Sequence, residues 1–231
     1  MLEKKRIAVI IPAFNEEESI SKVIADIPDF VDEIIVTNNG STDKTVEAAK
    51  SSGATVLDEQ ERGYGAACLK AIEYIKNKNF DIVVFLDGDY SDYPEEMNLI
   101  VAPILNDDFD LIIGSRMIGK REKGVLPPQS LLGNWLASFL IGLFWKYRFT
   151  DLGPFRAIKY ASLIKLDMRD RNFGWTVEMQ IKAAKQKLKT TEVPVCYRKR
   201  IGQSKITGTI KGSIKASAKI LYLIFVSLFR D

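Results

Sequence analysis

Apolar positions in the first 115 residues fall into short continuous runs separated by segments of helical period. The runs lie at residues 6–11, 33–37, 55–57, 82–86 and 111–113. Between them, over residues 17–27, 43–52, 66–77 and 94–105, apolar residues recur at helical spacing, the pattern of a helix with one buried face. Ser41 or Thr42 is placed to cap the second of these helices, and Pro94 suits the first turn of the fourth. A run such as Ile82-Val-Val-Phe-Leu has no polar side, so it predicts a parallel strand covered on both faces. The alternation as a whole predicts a doubly wound α/β sheet, which binds ligands beyond the carboxyl ends of its strands.

After Ser115 the rhythm changes. Residues 117–129, with Gly119, Gly124, Pro127 and Pro128, read as loop, and 131–145 are almost wholly apolar. A turn and short strand follow at 151–158, then a helix at 176–187 and a last strand at 192–197. No repeat and no linker divides the chain. Its end, 214–229, places Lys215 and Lys219 before a ten-residue stretch from Ile220 to Phe229. That stretch is too short to span a bilayer, but it suits an amphipathic helix at a membrane interface. Packing on the chain's own domain, or on a second copy in a homo-oligomer, is the alternative. The apolar run at 7–11 is too short for a signal-peptide core.

Composition sharpens the chemistry mainly by exclusion. The 231 residues contain no histidine, which rules out an imidazole base, a Ser-His-Asp triad and a histidine-held zinc. Two cysteines, Cys68 and Cys196, are too few for a disulfide scaffold and fit a reducing, cytoplasmic compartment. The net charge of +3 is unevenly spread. Residues 196–231 carry eight Lys/Arg against one acidic residue, and the other 195 residues carry 25 basic and 29 acidic. A basic end on a mildly acidic body calls for an anionic partner. Nucleic acid is disfavoured, because aromatics are not interleaved with these arginines as base stacking would require.

Four features lie where a parallel sheet presents ligands. Pro12-Ala-Phe-Asn-Glu follows the first strand, with Asn15 and Glu16 able to bond a sugar or ribose. Asn38-Asn39-Gly-Ser-Thr-Asp43 follows the second. It is explained by a turn and helix cap alone, or by an Asn39 amide reading a nucleobase edge. Phe85-Leu-Asp87-Gly-Asp89 ends a buried strand with two carboxylates. Anions there are costly unless neutralised, and an all-oxygen set without imidazole favours Mg²⁺ or Mn²⁺. Finally, Arg116, Arg156 and the stretch from Arg198 to Lys205 put guanidinium and ammonium groups in loops, where together they would suit a second phosphate.

Taken in order, Pro12-Ala-Phe-Asn-Glu, Asn39-Gly-Ser-Thr-Asp, Asp87-Gly-Asp, Gly114-Ser-Arg, Asp151-Leu-Gly-Pro-Phe-Arg and Arg200-Ile-Gly-Gln-Ser-Lys resemble the family 2 glycosyltransferases. Within that family the chain is similar to the polyprenyl-phosphate sugar synthases, relatives of dolichol-phosphate mannose synthase. The resemblance implies a nucleotide-diphospho-sugar transferase fold, Rossmann-like and of GT-A type, over 1–212, with the basic, apolar helix at 213–231. It implies inverting transfer from a nucleotide sugar of the UDP-glucose or GDP-mannose class to a polyprenyl phosphate, by an enzyme resting on the cytoplasmic membrane surface. By motif, Pro12, Ala13, Asn15, Glu16, Asn39, Asp87, Gly88 and Asp89 line the donor site, and Asp87 and Asp89 hold the metal. Asp89, Asp151, Arg116 and Arg200 fall to catalysis; Arg116, Arg156, Arg200 and Lys205 face the acceptor phosphate. Asn38 and Asn39 stand where many members carry two aspartates. Transfer to a sugar hydroxyl, with Asp151 or Glu178 as base, and a non-catalytic sugar-nucleotide binder remain alternatives.

Overall fold

The structure, a computed structural model, describes residues 5–202 and 210–229. Seven strands form one sheet: β1 (Ile7–Ala13), β2 (Glu33–Asn38), β3 (Thr55–Asp58), β4 (Ile82–Phe85), β5 (Leu111–Ser115), β6 (Arg156–Lys159) and β7 (Thr190–Pro194). Their spatial order is β3-β2-β1-β4-β6-β5-β7. β1 pairs in parallel with β2 (Ile10 opposite Ile35) and with β4 (Ile10 opposite Phe85).

Period-two geometry explains why the strand sequences are apolar throughout. Ala8 and Ile10 of β1 enter one core, together with Cys68, Ala71 and Ile75 of helix α3 (Tyr64–Ile75). Ile7, Val9 and Ile11 enter the other, with Ile20 and Val23 of α1 (Ile20–Ala25) and Met97 and Ile100 of α4 (Met97–Asn106). Each valine, isoleucine or methionine among them contributes about 1.5–3 kcal/mol when removed from water. Helix α2 (Thr45–Ser51) completes the crossovers of this half.

The second half departs from the simple alternation. β6 enters antiparallel between β4 and β5, so the sheet is mixed, not parallel throughout. The last strand is 190–194, not 192–197, and it pairs in parallel with β5. A short helix absent from the sequence reading, α6 (Tyr160–Leu166), follows β6 directly. The expected apolar helix is α5 (Pro128–Trp145), and α7 (Trp175–Lys185) lies behind the sheet.

Helix α8 (Ile210–Phe229) does not stand apart. It runs parallel to α5: Ser217 lies beside Gly133, and Phe225 meets Phe144 edge-on with ring centroids 6.1 Å apart. It is also pinned to the loop before α7 by a 2.9 Å ion pair between Lys219 and Asp170. The outer face of the pair stays apolar, with Leu132, Trp135, Phe139 and Leu143 of α5 and Tyr222, Phe225 and Phe229 of α8 exposed. Among the described residues no helix is long and apolar enough to cross a membrane.

Candidate active site

The carboxyl ends of β1, β2 and β4 open into two cavities that share a floor. One, of about 310 Å³, is lined by Pro12, Ala13, Phe14, Asn39, Arg62 and Gly88 among others. The second, of about 590 Å³, extends past Arg116 towards α5 and α8. Tyr64, Asp87, Asp89, Phe173 and Arg200 line both, so the cavities meet at the paired carboxylates.

The two aspartates differ in their surroundings. Asp89 is 3% exposed; its Oδ1 accepts the Ser91 amide at 2.9 Å, and its Oδ2 pairs with Arg200 Nη2 at 2.8 Å. Asp87 Oδ1 is buried and finds no hydrogen-bond donor among the described residues. Burial, with the Asp89 charge beside it, pushes Asp87 up to about 6. An orphaned buried carboxylate oxygen next to one already holding a cation fits a divalent ion. Two carboxylates are too few to cage one: among the described residues no group of three or more His, Cys, Asp or Glu could hold a metal. Diphosphate oxygens and water would complete the shell.

Arg116 is the other fixed charge. Its Nε and Nη2 grip Asp151 in a two-point bridge at 2.8 and 2.7 Å, and its backbone N–H donates to the same carboxylate at 2.8 Å. Burial alone would raise Asp151, but the charge and hydrogen bonds of Arg116 outweigh it and hold the carboxyl below its ordinary value. Asp151 is 0% exposed and does not line the cavity. The bridge fixes the Arg116 guanidinium, and burial keeps the Asp151 carboxylate away from the cavity, where a base would have to reach an acceptor hydroxyl. Glu178 is likewise committed, to Lys182 at 2.7 Å and to the Arg169 and Asp170 amides.

Other expected site residues divide. Pro12, Ala13, Glu16, Asn39, Gly88 and Arg200 line the cavities. Asn15 instead ties the turn after β1 to the next loop, its Oδ1 accepting the Thr42 amide at 2.8 Å. Asn39 reaches the cavity wall, but its amide is engaged with backbone: Nδ2 donates to Glu61 O at 2.7 Å, and Oδ1 accepts the Gly63 amide at 2.7 Å. Its amide therefore braces the 59–63 loop, and the residue meets the cavity as part of its wall. Arg156 is a correction. It is 0% exposed, lines neither cavity, and spends its guanidinium on the Gly153 and Thr176 carbonyls. Burial drives it down to about 10; it is a structural cation and not a phosphate ligand. Lys205 lies outside the described residues.

The structure adds residues that the sequence reading passed over. Arg62 lies over the Phe14 ring, 4.1 Å from its centroid, beside Asn39. Gly63 has φ +150°, and a Cβ there would stand 2.0 Å from Arg171 O, so only glycine lets this wall close. Tyr64 places a buried hydroxyl near Asp87, and burial with that charge pushes the phenol up. Asp92, 1% exposed, has no hydrogen-bond donor to either carboxylate oxygen among the described residues, and burial beside Asp87 pushes it well up. A buried carboxyl three residues beyond Asp89 that holds its proton more tightly than usual is invisible to motif reading, because that shift depends on what is folded around it.

Comparison with known proteins now bears on this geometry. The model of "Glycosyl transferase family 2" matches residues 8–167. The chain belongs to glycosyl transferase family 2. It is similar to a dolichyl-phosphate hexose transferase of Haloferax volcanii, 32% identical over 206 residues, which covers 87% of this chain and 86% of the relative. A UDP-N-acetylglucosamine–dolichyl-phosphate N-acetylglucosaminyltransferase of Methanococcus voltae is 29% identical over 213 residues, covering 83% of this chain and 85% of the relative. Among solved structures, glucosyl-3-phosphoglycerate synthase of Mycobacterium tuberculosis, in complex with Mn²⁺, UDP and glucosyl-3-phosphoglycerate, superposes with a TM-score of 0.75 at 22% identity. It covers 97% of this chain and 80% of that one. This structural likeness establishes the GT-A type fold. The enzyme is a glycosyltransferase.

Proposed function

We propose that the enzyme transfers a sugar, with inversion, from a nucleoside diphosphate donor of the UDP-glucose or GDP-mannose class to a polyprenyl phosphate. The observation that carries this reading is the shape of the larger cavity. It starts at Asp87, Asp89, Arg116 and Arg200 and continues between Leu131 of α5 and Ile220 of α8. An anion-binding floor joined to an apolar trough matches a lipid phosphate better than a free sugar. The names of the relatives point the same way.

In this reading the smaller cavity takes the nucleoside, with Phe14, Arg62 and Asn39 around the base and Pro12, Ala13 and Glu16 along the ribose. Asp87 and Asp89 would hold Mg²⁺ or Mn²⁺ against the diphosphate; the ion would supply Lewis-acid stabilisation of the leaving group. Arg116, held rigid by Asp151, presents its free edge to the acceptor phosphate, and Arg200 adds a second guanidinium. A phosphate monoester has its second pKa near about 6, so it attacks as a dianion without a general base. A sugar hydroxyl would need one, and both carboxylates expected for that role, Asp151 and Glu178, are tied to cations. The exposed α5 and α8 stripes, next to the basic end of the chain, suit a peripheral position on an anionic bilayer, with the trough facing the lipid.

The test compares acceptors. Transfer from labelled UDP-glucose or GDP-mannose to a polyprenyl phosphate in phosphatidylglycerol vesicles should exceed transfer to a short-chain, water-soluble phosphate ester by tenfold or more. Trp135→Glu with Phe139→Glu should remove that advantage and leave the soluble reaction unchanged. Equal rates on both acceptors, or a lipid advantage that survives the double substitution, would reject the lipid reading.

A further inference from the structure

Arg200 owes its position over Asp89 to a backbone seam. Segment 197–201 runs beside segment 89–92: Tyr197 bridges Asp92, the Arg198 amide donates to Ser91 O at 2.9 Å, and the Ile201 amide donates to Asp89 O at 2.9 Å. On its other side the segment is stitched to the loop after Arg116. The Tyr197 amide donates to Lys120 O at 2.8 Å, and the Glu122 amide donates to Tyr197 O at 3.0 Å.

One side chain closes the seam. Arg198 turns away from the cavity that Tyr197, Lys199 and Arg200 line. Its guanidinium lies between two rings, 3.4 Å from the Tyr90 centroid and 4.1 Å from that of Tyr93. Its Nε donates to Tyr90 O at 2.8 Å and its Nη2 to Asp92 O at 3.2 Å. Tyr90 itself sits at φ +64°, an uncommon conformation for a non-glycine residue. It is held there on the far side by its hydroxyl, which donates to Asp26 Oδ2 at 2.6 Å. A flat fork that stacks and donates at once is a task for arginine and not for lysine.

We infer that Arg198 is a positioning residue: it fastens the segment carrying Arg200 to the loop carrying Asp89, so that the acceptor-side guanidinium and the donor-side carboxylates keep one fixed geometry. It touches neither substrate in the proposed arrangement. Its contribution comes through Arg200, and misplacement by about an ångström is enough to cost up to a hundredfold in rate.

Two readouts separate this role from general support of the fold. The first needs no substrate and does not rest on the proposed reaction. In Arg198→Ala, hydrogen exchange should accelerate at the amides of 89–92 and 197–201 and stay at wild-type rates in β1 and α3. The second rests on the proposed reaction. Arg198→Ala should lower kcat by about 10–100-fold, and adding it to Arg200→Ala should cause no further loss, since both act through one group. Arg198→Lys keeps the charge and the aliphatic stem, so it folds even where alanine does not. It should show the same pattern at smaller amplitude. Additive losses in the double variant, unchanged exchange across the seam, or wild-type behaviour of Arg198→Lys would each overturn the inference. A wild-type enzyme inactive on every acceptor would count against the proposed reaction alone, and the exchange data would still decide the role of Arg198.

Discussion

Asp89→Ala is expected to lower kcat/KM by about a thousandfold, roughly 4 kcal/mol of transition-state stabilisation. Three losses coincide at this one carboxylate. Its Oδ2 is the partner of Arg200, its Oδ1 accepts the Ser91 amide, and its charge, with that of Asp87, makes the site attractive to a divalent ion. The fold should persist. Removing a buried hydrogen-bond acceptor costs about 1–3 kcal/mol, but the substitution also relieves Asp87 of a like charge, which offsets part of it. Far-ultraviolet circular dichroism and melting curves measured beside the kinetics check that distinction. Retained turnover in a folded variant supplied with Mn²⁺ would remove Asp89 from the proposed metal site.

Asp151→Ala should combine a large loss of stability with a large loss of activity. Asp151 is fully buried and Arg116 is 13% exposed in its side chain, so deleting the acid leaves a desolvated guanidinium without its partner. Breaking such a pair typically costs about 3–5 kcal/mol. The acid's backbone is anchored as well, with Gln180 Nε2 donating to its carbonyl at 2.9 Å and its own amide donating to Glu192 at 3.1 Å. Collapse should therefore be local to the Arg116 loop. Replacing both partners by apolar residues, Asp151→Leu with Arg116→Met, should recover much of the urea midpoint while turnover stays at least a hundredfold down. Recovery of both together would mean that the pair serves folding alone. If the double variant stayed as unstable as Asp151→Ala, the electrostatic account of the loss would be wrong.

The parallel part of the fold was legible because its signal is local. Residues 33–37 and 82–86 carry unbroken apolar runs, and β2 and β4 lie within a residue of those bounds. The direction of β6 was not legible. Arg156-Ala-Ile-Lys is four residues long, and periodicity carries no information on whether a strand runs with or against its neighbours. Its antiparallel insertion between β4 and β5 is decided by the chain path after α5. The same insertion buries Arg156, which in sequence looked like one more basic residue in a glycine- and proline-marked loop.

Site legibility followed a similar division. Asp87 and Asp89 stood out because paired carboxylates ending an apolar strand need a reason, and Arg116 and Arg200 through the motifs that resemble the family's; the structure brings all four to one cavity. The amides of Asn15 and Asn39, candidates for ligand contact in the sequence, brace adjacent loops, and Asn39 still lines the smaller cavity; residue type alone does not separate the two uses. Arg62, Tyr64 and Asp92 went unremarked and Arg198 was grouped with the phosphate candidates, since each gains its meaning from partners that lie from 5 to 108 residues away, or from burial.

The most direct measurement is calorimetric titration of UDP-glucose and GDP-mannose into the 231-residue chain, with and without Mn²⁺, repeated on Asp89→Ala. Saturable heat that requires the ion in the wild type and vanishes in the variant is the predicted result. Equal binding without the ion or in Asp89→Ala, or no heat from either sugar nucleotide under any condition, would contradict a donor site built on these two aspartates.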